Sequence, residues 1–123
     1  LVKAICLAKD ELRMCLKAES DFYCMSTEYE TKFGRVDLVA QDKETIYPIE
    51  VKKSVADHSV IGLIDKYIIH FKLGLINRMY RYVVGVVIAN GFDEYSLQEL
   101  HRFGAVAIKY KFKGDNNIEL TRV

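Results

Sequence analysis

Two runs of alternating residues, 35–41 and 46–52, held together by a short polar link, restrict the folds open to this chain more than any other feature. The first reads Arg35-Val36-Asp37-Leu38-Val39-Ala40-Gln41 and the second Ile46-Tyr47-Pro48-Ile49-Glu50-Val51-Lys52, with Asp42-Lys43-Glu44-Thr45 between them. Runs of this kind form the arms of a β-hairpin. Closed symmetrically about Lys43 and Glu44, the hairpin sets Gln41 opposite Ile46, Val39 opposite Pro48, Asp37 opposite Glu50 and Arg35 opposite Lys52. Side chains alternate along a strand, so Val36, Leu38 and Ala40 share an apolar face with Tyr47, Ile49 and Val51. The other face carries two carboxylates on cross-strand partners, whose Cβ atoms lie roughly 4.5–5.5 Å apart.

Like charges so placed repel, and the simplest remedy is a bound cation. Carboxylate oxygens suit Mg²⁺ or Mn²⁺, and Mg²⁺ commonly takes only one or two protein carboxylates, filling its shell with water and phosphate oxygens. Lys52 follows Glu50 by two residues and so shares its face. An ammonium there can hold or deprotonate an attacking water, or offset charge that builds on a phosphate. Asp37, Glu50 and Lys52 around a divalent ion are a workable centre for phosphodiester hydrolysis. The plainer reading is a solvated sheet face that carries three charges.

These residues resemble the signature of the PD-(D/E)XK nuclease superfamily, an Asp on one strand followed by Glu/Asp-x-Lys on the next. Within it, Phe33-Gly34-Arg35-Val36-Asp37-Leu38-Val39 and Ile49-Glu50-Val51-Lys52-Lys53 look most like the catalytic domain of archaeal NucS-type endonucleases and the related Holliday-junction resolvases. The likeness continues through Ala56-Asp57 and, less strictly, to Val86-Val87-Ile88-Ala89. It implies a restriction-endonuclease-like mixed β-sheet flanked by helices. It also implies Mg²⁺- or Mn²⁺-dependent cleavage of DNA, in repair or recombination, at branched, mismatched or otherwise distorted duplexes. Two departures stand out. Many relatives carry Gln-x-x-x-Tyr on the next helix, where this chain has Leu63-Ile64-Asp65-Lys66-Tyr67, keeping the Tyr and losing the Gln. The family also often takes a third acid from its first helix. Glu11 is the candidate metal ligand there, with Asp10 and Glu19 as rivals, and a surface glutamate is the ordinary alternative.

The 123 residues, half of them hydrophobic, suit one domain over 1–123. A start at Leu1 rather than Met suggests a piece of a longer protein. With 18 basic and 17 acidic side chains the net charge is +1, so no global basic field announces nucleic acid, and any basic surface must be local. The chain lacks a long apolar run and a signal-peptide pattern, which argues against a membrane span or secretion. Cys6, Cys15 and Cys24 are an odd set, fitting buried thiols in a reducing cytoplasm rather than disulfides. On a single helix Cys6 and Cys15 would face about 180° apart, too far around to share a metal. Neither a nucleotide-binding glycine loop nor a redox-cofactor motif is present. His58, His70 and His101 have no ligand-like spacing.

Periodicity predicts one helix over Val2–Lys17, with Ile5, Ala8, Leu12 and Cys15 on one stripe, then a strand over Phe22–Thr31. After the hairpin, Asp57 or Ser59 caps a long helix to about Met79, with Ile61, Ile64, Ile68, Leu75 and Met79 near one face. Tyr82–Ala89 is apolar enough for a strand covered on both sides, added in parallel through that helical crossover. Asn90-Gly91 reads as a turn and Asp93 as the cap of a helix over Glu94–Phe103. Ala105–Phe112 and Ile118–Arg122 read as a last hairpin. The order is α-β-β-β-α-β-α-β with a C-terminal strand. Arg35, Lys53, Lys66 and Tyr67 are the candidate DNA contacts, with Tyr29 a packing or stacking residue. Lys109, Lys111 and Lys113 share one strand face, as guards of a sheet edge or as phosphate contacts. The partner expected is DNA, with a homodimer as a way to address two strands.

Overall fold

In the computed structural model, which describes residues 1–74, 80–114 and 117–123, the central hairpin closes on the register its alternation implies. Gln41 pairs with Ile46, Ala40 with Tyr47, Val39 with Pro48 and Leu38 with Ile49. The link holds this register through Asp42, whose buried carboxylate accepts the Glu44 and Thr45 N–H groups at 3.1 and 2.9 Å, the Glu19 N–H at 3.0 Å and the Tyr47 hydroxyl at 3.2 Å. Burial works to raise the Asp42 carboxyl, but these four donors outweigh it and hold it below the ordinary range.

The elements are α1 (Val2–Leu7), α2 (Lys9–Leu16), β1 (Tyr23–Thr31), β2 (Gly34–Gln41), β3 (Thr45–Ala56), α3 (Ser59–Gly74), β4 (Tyr82–Val83), β5 (Val86–Phe92), α4 (Glu94–Arg102), β6 (Val106–Phe112) and β7 (Ile118–Arg122). The strands form one sheet in the order β1-β2-β3-β5-β6-β7, with β4 also on β3. β1, β2 and β3 are antiparallel neighbours, whereas β3, β5 and β6 run parallel. Both faces are covered. Ile5, Leu12, Leu16 and Phe22 pack on Leu38, Ala40, Ile49, Ile88 and Ile108. Val60, Ile64, Ile68 and Leu100 pack on Val39, Ile46, Val87 and Ala107 on the other side. Val36 joins this second cluster, not the face of Leu38 and Ala40 that strict alternation assigns it. The alternation slips at Asp37, which has a ladder partner on neither neighbouring strand.

The predicted first helix is two, broken at Ala8 (φ −92°, ψ 36°). No proline or glycine marks the break, which turns Ala4, Ile5, Leu12 and Leu16 onto one cluster. It also brings Cys6 and Cys15 to the fringe of that cluster, which a straight helix would not do. All three cysteines are free. Burial, with Cys6 beside it, pushes the Cys24 thiol up to about 12, so it stays protonated at neutral pH. Asp57 and Asp93 act as the sequence suggests, accepting the Ser59 and Ser96 N–H groups at 2.9 and 2.7 Å. Leu75, Met79, Asp115 and Asn116 lie outside the described residues. Asn90-Gly91 is not a turn but part of β5. A register shift between Lys52 and Val55 lets β3 run on to Ala56, giving Gly91 and Phe92 partners in Val55 and Ala56.

Between β4 and β5 the strand is interrupted at Val84-Gly85, yet Ile46 still pairs with Val83 and Ile49 with Val86. The gap therefore sits opposite Tyr47 and Pro48, where proline has no N–H to offer a ladder. Gly85 has a second constraint. A Cβ there would lie 2.6 Å from Ile68 Cδ1 and 2.9 Å from Ile64 Cγ1, inside contact distance. Gly85→Ala is accordingly expected to force α3 off the sheet at a cost of about 1–3 kcal/mol. Denaturant unfolding measures this, and an unchanged midpoint would contradict the packing.

Candidate active site

Ladder pairing between β2 and β3 ends at Leu38 and Ile49, and the next residue on each strand is an acid. Asp37 Oδ2 accepts the Val51 N–H at 2.8 Å, so a side-chain carboxylate takes a donor that a backbone carbonyl would otherwise receive. This bond pins the Asp37 carboxylate between the strands. Across β2, the facing position on β1 is Glu28, held left-handed at φ 51°. For a residue with a Cβ that conformation costs about 1–2 kcal/mol. Val2, Lys3, Cys6, Thr27 and Glu28 line a groove of about 500 Å³ that opens beside Asp37.

Glu50 is the more unusual group. It is only 7% exposed, yet it is charged in type and lies on the same sheet face as the apolar Val87, its partner on β5. Burial, then the adjacent Asp37 carboxylate, pushes its carboxyl up to about 8 against the pull of Lys52. Lys52 Nζ lies 3.6 Å from Glu50 Oε2. The other oxygen, Oε1, is buried without a hydrogen-bond partner. An orphaned carboxylate oxygen beside a second carboxylate is a donor set that fits a hard divalent cation. Asp37 and Glu50 are the residues that would hold it.

Glu11 does not join them. Its Oε2 accepts the Leu120 N–H on β7 at 3.2 Å, and Lys113, Asn117 and Ile118 surround it. β7 stands four strand spacings from β2 in the sheet, roughly 19 Å. Helix α2 packs over that far edge, so the third acid expected from the first helix is absent from the pair. Asp10 is exposed on the same helix, and Glu19 sits at the Asp42 turn, the other end of the hairpin. Among the described residues no group of three or more acid, His or Cys side chains is poised for a metal.

Tyr67 lies beside the pair but faces inward. It is 2% exposed, so its ring cannot stack on a nucleotide. Its hydroxyl instead donates to the Arg35 carbonyl at 3.0 Å, tying α3 to the start of β2. Burial raises that phenol above its usual value, and the Glu50 and Asp37 carboxylates add to the effect, which places it beside the pair. Leu63, at the position of the missing Gln, is a half-buried packing residue. Tyr29 packs on Phe71 with ring centroids 5.3 Å apart. Arg35 is exposed and ion-pairs with Glu30 at 2.9 Å and Glu28 at 3.8 Å, weak surface pairs that a phosphate can displace. Lys53 is exposed at the β3 register shift, its carbonyl taken by the Tyr110 hydroxyl at 2.9 Å. Lys66 points to solvent from α3. β6, which carries Lys109 and Lys111, is an interior strand with β7 outside it, so neither lysine guards an edge.

Neither the Lys3, Cys6, Thr27 and Glu28 wall beside Asp37 nor the clamp of the hairpin at Asp42 follows from the periodicity of the sequence. Only Asp42 left a local trace, an acid opening a tight link that ends in Thr45.

A seven-stranded mixed sheet flanked by helices is the nuclease-like fold of NucS endonucleases. No family model matches the chain. Endonuclease NucS of Sulfolobus acidocaldarius is 31% identical over 103 residues, which are 81% of this chain and 39% of the relative. The structure superposes on a repair endonuclease from Pyrococcus abyssi with a TM-score of 0.68 at 21% identity, over 87% of this chain and 45% of the other. On EndoMS in its complex with double-stranded DNA the TM-score is 0.63 at 17% identity, over 80% and 39%. The chain is thus a homologue of NucS endonuclease, and it spans about two-fifths of the length of that relative.

Proposed function

We propose that the chain is the catalytic part of a Mg²⁺- or Mn²⁺-dependent DNA endonuclease, with Asp37, Glu50 and Lys52 as its reacting centre. The observation that carries this reading is the buried, unpartnered Glu50 Oε1 beside Asp37, with the Lys52 ammonium 3.6 Å from the other Glu50 oxygen. Homology to an endonuclease supports it, as does likeness to a fold solved with double-stranded DNA.

A bound divalent ion would supply Lewis-acid stabilisation of phosphate charge and a more acidic water. The chain's own groups do the rest. Asp37, fixed by the Val51 N–H, and Glu50, fixed by burial, present oxygens in one orientation and need little reorganisation. Lys52 balances one carboxylate and, being about one-third exposed, can reach an incoming phosphate or water. Arg35 and Lys53, exposed at either flank, can meet neighbouring phosphates. A second copy of the chain would let two such centres address two strands.

The test is incubation with supercoiled, linear, flap, mismatched and four-way-junction DNA, in Mn²⁺ and in chelator, beside Lys52→Ala. Cleavage is expected in Mn²⁺ alone, with Lys52→Ala lowered at least about 100-fold. Cutting that survives chelator, or an unimpaired Lys52→Ala, removes the mechanism. A second reading is a DNA-binding or assembly module on a nuclease fold that no longer cuts. It is favoured by Leu63 in place of Gln and by the distance of Glu11. Binding of branched DNA by a preparation that never nicks it in Mg²⁺ or Mn²⁺ would select this reading.

A further inference from the structure

We propose that Lys109 is a phosphate-binding residue, which directs the nucleic-acid strand from the candidate active site across β5 toward β6. The inference rests on the reading of Asp37, Glu50 and Lys52 as a centre that receives a nucleic-acid phosphate. It begins with the register. Lys52 pairs with Ala89, and Ala89 with Lys109, so the three occupy one row across three parallel strands. The adjacent row runs Glu50, Val87, Ala107, and Val87 and Ala107 both belong to the cluster under α3 and α4. Paired residues share a face, so Lys109 is on the face of Glu50 and Lys52. The three strands run in one direction, which sets both lysines toward the same end of the sheet.

Two strand spacings separate the β3 and β6 lysines, about 9.6 Å. That span lies within reach of nearby phosphates on one strand, so Lys109 can hold a phosphate close to one held at Lys52. Charge separates Lys109 from its neighbours. Lys111 lies opposite Glu119, and Lys113 is ion-paired with Glu119 at 2.6 Å. Lys109 is exposed and lies opposite Thr121, a neutral hydroxyl that can also serve a phosphate. Among the described residues it makes no salt bridge. An unneutralised ammonium on an interior strand, in the row of Lys52, is placed for a polyanion rather than for the fold.

The experiment measures binding of a labelled duplex and a four-way junction by anisotropy, in chelator, from about 50 to about 200 mM salt. Wild type, Lys109→Ala, Lys109→Arg and Lys111→Ala are compared in the intact protein. Lys109→Ala is expected to bind more weakly and to lose about 0.9 from the slope of log affinity against log salt, so its deficit shrinks about 3.5-fold over that range. Lys109→Arg retains the slope. In Mn²⁺, Lys109→Ala is expected to raise KM with kcat within about twofold. An unchanged slope in Lys109→Ala, or a larger loss in Lys111→Ala, overturns the proposal. Wild type that binds DNA but never cuts it refutes the nuclease reading alone, since the slope still decides Lys109; wild type that binds no DNA overturns both.

Discussion

Glu50→Gln is expected to suppress the proposed cleavage and at the same time to make the protein harder to unfold above neutral pH. A carboxylate that is 7% exposed and faces a second carboxylate is maintained against its own interest in stability. The Glu50 carboxyl lies near 8 in the fold against 4.5 for an ordinary glutamate. Between those values the folded protein holds a proton that the unfolded chain releases. Stability from this group is therefore complete below about 4.5 and is lost as pH rises through about 8. Glutamine keeps the shape and cannot ionise. We expect it to gain about 4 kcal/mol at pH 8, or roughly 12–24 °C in Tm for a chain of this size, and under about 1 kcal/mol at pH 5. Cleavage falls by at least about 10³-fold, some 4 kcal/mol of barrier, because an amide offers a weaker and uncharged oxygen to a cation. Thermal melts at both pH values, with a nicking assay, decide it. A destabilised Gln variant, or one that still cuts in Mn²⁺, would refute the account of Glu50.

Mn²⁺ should reverse that pH dependence. A divalent ion between Asp37 and Glu50 competes with the Glu50 proton, so binding weakens as pH falls from 8 toward 5. At a concentration about 100-fold above its dissociation constant, an ion that binds only the folded state adds about 2.7 kcal/mol, or roughly 8–16 °C in Tm. The shift is expected at pH 8, to diminish at pH 6, and to vanish in Glu50→Gln at both. Titration calorimetry gives the stoichiometry alongside. No shift at pH 8, or an equal shift in Glu50→Gln, would mean that the carboxylate pair is not a cation site.

The central hairpin could be read from its link out to Leu38 and Ile49, because a period of two over a short link leaves one register that buries its apolar side chains, but the slip at Asp37 that turns Val36 to the other face could not. That same reading placed Asp37, Glu50 and Lys52 together, and their order in the chain was enough to bring the nuclease signature into view. Helix caps at Asp57 and Asp93, and β7 as Ile118–Arg122, were equally plain, since each depends on a few adjacent residues. The break at Ala8, the strand gap opposite Pro48 and the run of β5 through Asn90-Gly91 were not, because each answers to a neighbour on another strand or helix.

The chain's local pattern determined which groups lie side by side: two acids and an ammonium on adjoining strands. How far each candidate stands from that centre was settled by packing. Glu11 sits where α2 crosses β7, and Tyr67 turns inward to brace β2. Glu50 acquires its raised carboxyl first from burial on the face that α3 and α4 cover, and then from Asp37 beside it. Strand periodicity is written over a few residues, whereas burial and separation are set by which distant segments come to lie against each other.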